Sequence, residues 1–463
     1  MSEQMKERLV AMLGPGAVGE RPVADMWPLG LIRRRAGQAP PSVLTVRPVE
    51  VEQVVDLVRW AAGAGVSLVP FGGASGVCGA VSAAGGEVAL DMGGFDSLLD
   101  IDSENLTCHV QAGMPGLRLE ETLQDRGLTL GHYPSSLPIA TVGGLIATRS
   151  SGQESSRWGS IEDMVLGLTA VLPDGSVARP RRGPRSAAGP ALHELMIGSE
   201  GALGVIIDAV LRINRRPARV IGRGYRFASL EAGLEVMREV VQRGIRPLVM
   251  RLYDADDTAF QGVGGDGCLL MVAFAGEPGV AAAETRCFSG IVGGVATDLG
   301  EEPWQHWRRH RFDLSADRMR RLLEPDASFL DTIEVAAAWS DLPGLWRSIK
   351  AALVDCGALA LCHFSHAYPQ GCCAYFSFGG GAADEAAAEA AYSRAWTGAM
   401  AACAEHGATI SHHHGVGRVR AGWIREEMAG WDRLWDGIRS AADPAGIMNP
   451  NAVGGAMSPG GEL

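Results

Sequence analysis

The sequence predicts an α+β protein of two domains, the first organised around glycine loops and the second an α/β unit. Three observations lead there. The chain has 463 residues, and single cores divide beyond roughly 250–300. From Ser42 onward, short β-branched runs alternate with stretches of helical periodicity. Three glycine loops each stand beside an apolar strand, and all lie before residue 210.

Residues 1–41 read as an amphipathic helix followed by a Pro/Arg/Gly-rich approach. SVLTV is then a short strand. VEVEQVVDLVRWAAGAG places Val51, Val54, Val55, Val58 and Ala62 on one helical face, and Gly63 and Gly65 end that helix. VSLVP is a strand leading into PFGGASGVCGAV. Strands follow at EVALDM, LLDID and LTCHVQAGM, with a helix at LRLEETLQDRG; ELMIGSEGALGVIIDAVLRI closes this region near residue 213. After RRPA, a second rhythm of helices and strands runs to about residue 425. Its alanine-rich stretch AADEAAAEAAYSRAW reads as a solvated helix, because Ala and Glu are strong helix formers. WDRLWDGIRSAADPAGIMNPNAV reads as an amphipathic helix with a Pro-Gly-Asn stop. No repeat of fixed period is present.

Composition narrows the functional class. Hydrophobic residues make up 47% and charged residues 20%, ordinary for a globular protein. A formal charge of -12 argues against a nucleic-acid partner, since backbone phosphates would be repelled. MSEQMKERLVAML carries no secretory pattern, and no run of about 18 uncharged apolar residues predicts a membrane span. The nine cysteines are scattered, as expected of reduced thiols in a cytoplasmic protein, and the pair Cys372 and Cys373 reads as packing.

The glycine loops carry the first chemical signal. A pyrophosphate needs several backbone N–H donors at close range, and side chains obstruct that approach. PFGGASGVCGAV supplies Gly72, Gly73, Gly76 and Gly79 directly after a strand. Taken alone, it is equally a surface turn. IATVGGLIATRSSG repeats the device with Gly143, Gly144 and Gly152, and IGSEGALGVI does so with Gly198, Gly201 and Gly204 around Glu200. The single GxGxxG with a later acidic residue that marks a nicotinamide domain is missing.

PFGGASG, GHYPSS…TVGG…SSG…RWGSIEDMV and IGSEGALGVI resemble the FAD segments of the vanillyl-alcohol-oxidase / p-cresol-methylhydroxylase (PCMH-type) superfamily. Within it, the chain looks like the alkyldihydroxyacetone-phosphate synthase (alkylglycerone-phosphate synthase) branch and its bacterial FAD-linked oxidase relatives. RPLVMRLYD, SHAYPQGCCAYFSF, SHHHGVGRVR and DPAGIMNPNA extend the likeness over roughly residues 40–455. The resemblance implies a PCMH-type two-subdomain FAD-binding domain over 1–218 (core about 38–216). A substrate or cap domain of the FAD-linked oxidase C-terminal type would occupy 219–425, and a helix within 426–463 would return to the FAD domain. It also implies that Pro70, Phe71, Gly72, Gly73, Ala74, Ser75 and Gly76 cradle the pyrophosphate, joined by Pro134, Ser136, Thr141, Gly143, Gly144 and Ser150. Glu200, Gly204 and Ile206 would line the adenosine or isoalloxazine side, with Trp158 near the flavin. Ala74 stands where the family usually has glycine. The loop holds no histidine, the anchor of covalent flavin in some relatives, so FAD is expected to be non-covalent.

His412, His413 and His414 form the densest ionisable cluster. In an extended segment His412 and His414 would share a face and His413 would point away. Histidine suits proton transfer because its usual pKa lies near neutrality, and the resemblance places active-site histidines in this motif. It likewise makes Tyr375 an acid/base group and Arg320 an active-site arginine, with Arg318 and Arg321 as competitors; composition alone would put Tyr375 in the core. Arg251 lies among apolar neighbours and needs a partner: a substrate anion, or Asp254 or Asp256. His363 and His366 lie where related 2-hydroxyacid dehydrogenases hold a metal, but the histidine-rich motif resembles the metal-free branch, so no metal is expected. The expected activity is oxidation of a small anionic or hydroxylated substrate. The alternatives are ether-forming transfer without net redox change and a metal-assisted D-2-hydroxyacid dehydrogenase. A homodimer is the family expectation.

Overall fold

The computed structural model describes residues 3–180, 183–312 and 326–453. Two larger sheets and a two-stranded pairing of Leu128–Thr129 with Asn214–Arg215 form the first half. Val18–Pro22, Ser42–Val46, Val88–Asp91 and Leu68–Phe71 make a four-stranded sheet whose last three strands are parallel. Leu98–Asp102, Thr107–Gln111, Val205–Arg212, Val165–Val171 and Val177–Ala178 make an antiparallel five-stranded sheet. The crossover between Ser42–Val46 and Leu68–Phe71 is the helix Val51–Ala64, which ends at Gly65 in the left-handed conformation. Its buried centre is Val54, Leu57, Val58 and Ala61, whereas Val51, Val55 and Ala62 flank the core. The face is therefore turned from the one predicted, since the i, i+3, i+4, i+7 row through Leu57 carries the larger side chains.

The second half is one antiparallel sheet of seven strands. Their order is Ala296–Gly300, Arg219–Phe227, Cys268–Gly276, Val249–Tyr253, Leu359–Ser365, Gly371–Gly381 and Ser328–Ala338. The helices Leu342–Asp355 and Glu385–Glu405 pack together on it. The second of these is the alanine-rich stretch expected to be solvated. It instead buries Ala388, Ala391, Tyr392, Ala395, Trp396 and Ala399, because alanine lets its backbone approach the sheet closely.

The halves interlock. Trp27, Leu29 and Ile32 join the core of the seven-stranded sheet. Residues 447–449 return to the first half, with Leu68 N–H donating to Ile447 O (2.7 Å) and Asn449 N–H to Leu68 O (2.9 Å). All nine cysteines are free thiols. Among the described residues, no helix is long and apolar enough to cross a membrane.

Candidate active site

The first glycine loop follows Leu68–Phe71 and is pressed against residues 139–141. A Cβ on Gly72 would stand 2.0 Å from Thr141 Oγ1, and one on Gly73 would stand 1.9 Å from Ile139 O. Ala74 takes a left-handed φ of 47°, the conformation its glycine counterparts hold without strain. Gly73, Ala74 and Ser75 donate their backbone N–H groups to no acceptor among the described residues. A cavity of about 220 Å³ opens beside them, lined by Arg21, Val23, Phe71, Gly72, Gly73 and Ala74. Successive free N–H groups beside a cavity fit a pyrophosphate.

The other two loops are used differently. Gly143 N–H donates to Ala112 O (2.7 Å), and Thr141 caps the helix Val142–Ala147 by accepting from Gly144 N–H (3.4 Å). Pro134 and Ser136 hold the turn before that helix through bonds to Leu137 and Ala140 N–H. Ser150 Oγ lies 2.6 Å from Nε2 of the buried His132. Glu200, in the left-handed region at φ 52°, turns its carboxylate to Val416 N–H (2.7 Å), Gly417 N–H (3.0 and 3.1 Å) and Val453 N–H (3.2 Å). Burial nevertheless pushes its pKa up to about 7, against those hydrogen bonds. Gly204 packs where a Cβ would meet Val171 O at 2.5 Å, and Ile206 is buried in the strand after it. Trp158 donates to Glu154 (3.2 Å) and packs between the first half and Val249.

In the seven-stranded sheet, register aligns His363, Tyr375 and Glu334 across three neighbouring strands. Directly opposed residues of an antiparallel sheet share a face, so the three side chains form one row. His363 stacks on Tyr375 with ring centroids 4.7 Å apart. Arg251, one strand further, donates from Nη2 to His363 Nδ1 (3.3 Å) and lies over the Tyr253 ring. Its buried Nε has no partner among the described residues. Asp254 and Asp256 are not its partners, because both pair with Lys350 (2.6 and 2.5 Å).

Residues 412–414 bend around Glu334. Its Oε1 accepts from Ser411 Oγ (2.8 Å) and from the N–H groups of His412 (3.2 Å), His413 (3.1 Å) and His414 (2.8 Å). Its Oε2 is bound by the buried Arg420 and lies 3.1 Å from His414 Nδ1. Burial raises the Glu334 pKa, but Arg420 and then His414 outweigh it and hold the carboxyl well below its usual range. The expected alternation of an extended segment is therefore overturned, since three successive N–H groups converging on one oxygen require a bend. His413 does not point away: its Nδ1 lies 2.8 Å from His412 Nδ1, and its ring faces both Tyr375 (5.9 Å) and His366 (5.0 Å). His414 meets Tyr375 edge-on at 5.7 Å.

Burial sets the protonation states. It lowers His412 to about 4, and lowers His363 to about 4 with help from Arg251. His366 and His413 are pushed well below their usual value, and Tyr375 up to about 12. These imidazoles are neutral and Tyr375 is a phenol near pH 7. Nitrogens of His366, His412 and His413 lie within 4.8 Å of one another. Two ring nitrogens of this group have protein partners: His366 Nδ1 lies 2.6 Å from Ser155 Oγ, and His412 Nε2 lies 2.8 Å from Tyr368 Oη.

The structure thus brings Tyr375, Arg251, His363, His366 and the triplet into one cluster. Arg320, with Arg318 and Arg321, lies outside the described residues. Sequence reasoning missed Glu334, Arg420, Ser155, Tyr368 and Asp257, whose carboxylate lies 3.7 Å from His363 Nδ1. A carboxylate within the apolar run IEVAAA was a usable signal for Glu334, because a buried charge needs a partner.

Comparison with known proteins agrees with this architecture. Residues 42–180 match the FAD binding domain family, and residues 217–453 match the FAD linked oxidases, C-terminal domain. The chain is 31% identical to an alkyldihydroxyacetonephosphate synthase of Dictyostelium discoideum, over 91% of this chain and 75% of that protein. It is 32% identical to the uncharacterised FAD-linked oxidoreductase YgcU of Escherichia coli, over 87% of each. A solved alkyldihydroxyacetonephosphate synthase superposes with a TM-score of 0.83 at 26% identity, covering 98% of this chain and 86% of that one. p-Cresol methylhydroxylase, at 15% identity and a TM-score of 0.76 over 98% of this chain and 96% of its own, shares the fold. With a PCMH-type FAD-binding domain followed by an oxidase C-terminal domain, the chain belongs to the FAD-linked oxidases and is an FAD-dependent oxidoreductase or alkyl transferase.

Proposed function

We propose that this protein oxidises a small hydroxylated or anionic substrate, with Tyr375 and the histidines 412–414 as acid–base groups. The carrying observation is the row on the seven-stranded sheet. Tyr375 is stacked on His363 and faced by His413 and His414, with Arg251 beside them, its Nε without a partner among the described residues. FAD, when bound, supplies the two-electron acceptor. The protein's own part is positioning. Arg251 offers a charge-assisted hydrogen bond to an anionic group, joined in this reading by Arg320. The neutral imidazoles of His412 and His413 can take up a substrate hydroxyl proton, and Tyr375, a phenol at neutral pH, can donate one. Residues 70–76, which carry no histidine, would hold FAD without a covalent bond. In this reading residues 1–218 and the terminal helix hold the cofactor while 219–425 cap the substrate.

A second reading, ether-forming transfer without net redox change, draws on the synthases that cover most of this chain. One experiment separates them. Anaerobic addition of a panel of 2-hydroxy acids and alcohols should bleach the flavin absorbance. Bleaching by none, together with exchange of an acyl group for an alcohol, would replace oxidation by transfer.

A further inference from the structure

His413 is the inner end of a hydrogen-bonded row that leads outward from this cluster to Tyr368. Its Nδ1 lies 2.8 Å from His412 Nδ1, and His412 Nε2 lies 2.8 Å from Tyr368 Oη. His413 is packed against Tyr375 and His366, whereas the Tyr368 side chain reaches the surface (40% exposed) with its hydroxyl half-sheltered beside Ser160. Each contact is within ordinary hydrogen-bond distance. The outer end is held in place. Tyr368 N–H donates to Gly371 O (2.8 Å), Trp339 Nε1 donates to Tyr368 O (3.1 Å), and the neighbouring Ala367 N–H donates to Ser156 Oγ (3.2 Å). His363 and His366 are buried, so a proton released beside Tyr375 needs a carrier to reach water.

We propose that Tyr368 is the solvent end of a proton relay running from His413 through His412. The inference rests on the acid–base reading of the cluster given above. An imidazole accepts at one ring nitrogen while donating from the other, and a phenol oxygen does both. A proton bound at His413 Nε2 moves the Nδ1 proton to His412 Nδ1. His412 then releases its Nε2 proton to Tyr368 Oη, and the hydroxyl gives its own to water. One proton enters and one leaves, with no redox change. The reverse shift carries a proton inward and restores the starting tautomers. The low basicity of His412 and His413 suits this task, because neither ring retains the proton at neutral pH.

The test uses the holoenzyme and needs no substrate. The bound flavin is photoreduced anaerobically and mixed in stopped flow with ferricyanide, in weakly buffered phenol red. Two ferricyanides remove two electrons from each reduced flavin, and one proton is released. In wild type, protonation of the dye should keep pace with recovery of flavin absorbance. In Tyr368→Phe the flavin should recover first and the dye should lag by about 10²-fold, the scale of losing a proton-transfer group. Tyr368→His should shorten the lag. Dye and flavin signals moving together in Tyr368→Phe would overturn the relay. So would a Tyr368→His variant as slow as Tyr368→Phe, which would mark a purely structural role. A preparation that takes up no FAD gives no flavin recovery at all, and that outcome overturns the flavin reading itself.

Discussion

Around residues 70–76, shape comes from side chains that are missing. Gly72 and Gly73 let two loops touch where any Cβ would collide, and the N–H groups of Gly73, Ala74 and Ser75 are left without an acceptor among the described residues. Around residues 412–414, shape comes from a side chain that is present. Glu334 gathers three N–H groups and a serine hydroxyl, while Arg420 balances its charge in a fully buried pair. The first region should fail when atoms are added, and the second when charge is removed. The two failures should also read out differently, as lost cofactor in one case and lost stability in the other.

The largest effect is expected at the loop. Gly73→Val places a Cβ 1.9 Å from a backbone carbonyl that cannot yield. The variant should fold but purify nearly colourless, with FAD content measured by absorbance after denaturation. A wild-type FAD content would show that the loop does not hold the cofactor. Next comes Glu334→Gln, which leaves Arg420 buried without its counter-charge. Loss of one partner of such a pair costs about 3–5 kcal/mol. Thermal unfolding should begin markedly earlier while the folded protein keeps its FAD. An unchanged melting temperature would refute the role given to Glu334.

Glu200 joins the two regions, and its effect should be smaller and dependent on pH. Its folded pKa of about 7 lies above the usual 4.5, so the native state binds the proton more tightly than the unfolded chain. The stability it contributes is present below about pH 4.5 and is lost as pH rises through about 7. The buried neutral imidazoles of His363, His366, His412 and His413 act in the opposite sense, adding stability as pH rises. The melting temperature of Glu200→Gln should therefore climb relative to wild type between about pH 4.5 and 7. An identical slope in the variant would contradict the assignment. The smallest effect is expected from chelation. EDTA dialysis should leave flavin reduction unchanged, whereas a stoichiometric metal in the purified protein would convert the His366, His412 and His413 grouping into a metal site.

The contrast also explains what could be read in the sequence. A missing Cβ is a local property, so PFGGASG announced its loop without reference to any other segment. The strand runs around it were equally legible, because β-branched alternation is local too. The helix Val51–Ala64 was found but its face was turned, since periodicity does not say which of two adjacent rows the core will take. The alanine-rich helix was misjudged as solvated because its burial depends on the sheet beneath it. The bend at residues 412–414 was invisible for the same reason. Its cause, Glu334, lies 78–80 residues earlier in the chain. Tyr368 reads as an ordinary aromatic until His412 is brought to 2.8 Å from it.

The most direct test of the account compares wild type with Tyr375→Phe, measuring anaerobic flavin bleaching and FAD content in the same cuvette. Wild type should be yellow, should release its colour on acid precipitation, and should bleach with at least one 2-hydroxy acid or alcohol. Tyr375→Phe should keep full FAD and bleach about 10²–10⁴ times more slowly, the usual penalty for losing an acid–base group. Undiminished bleaching in the variant would place the chemistry away from the row of His363, Tyr375 and Glu334, and would contradict the account.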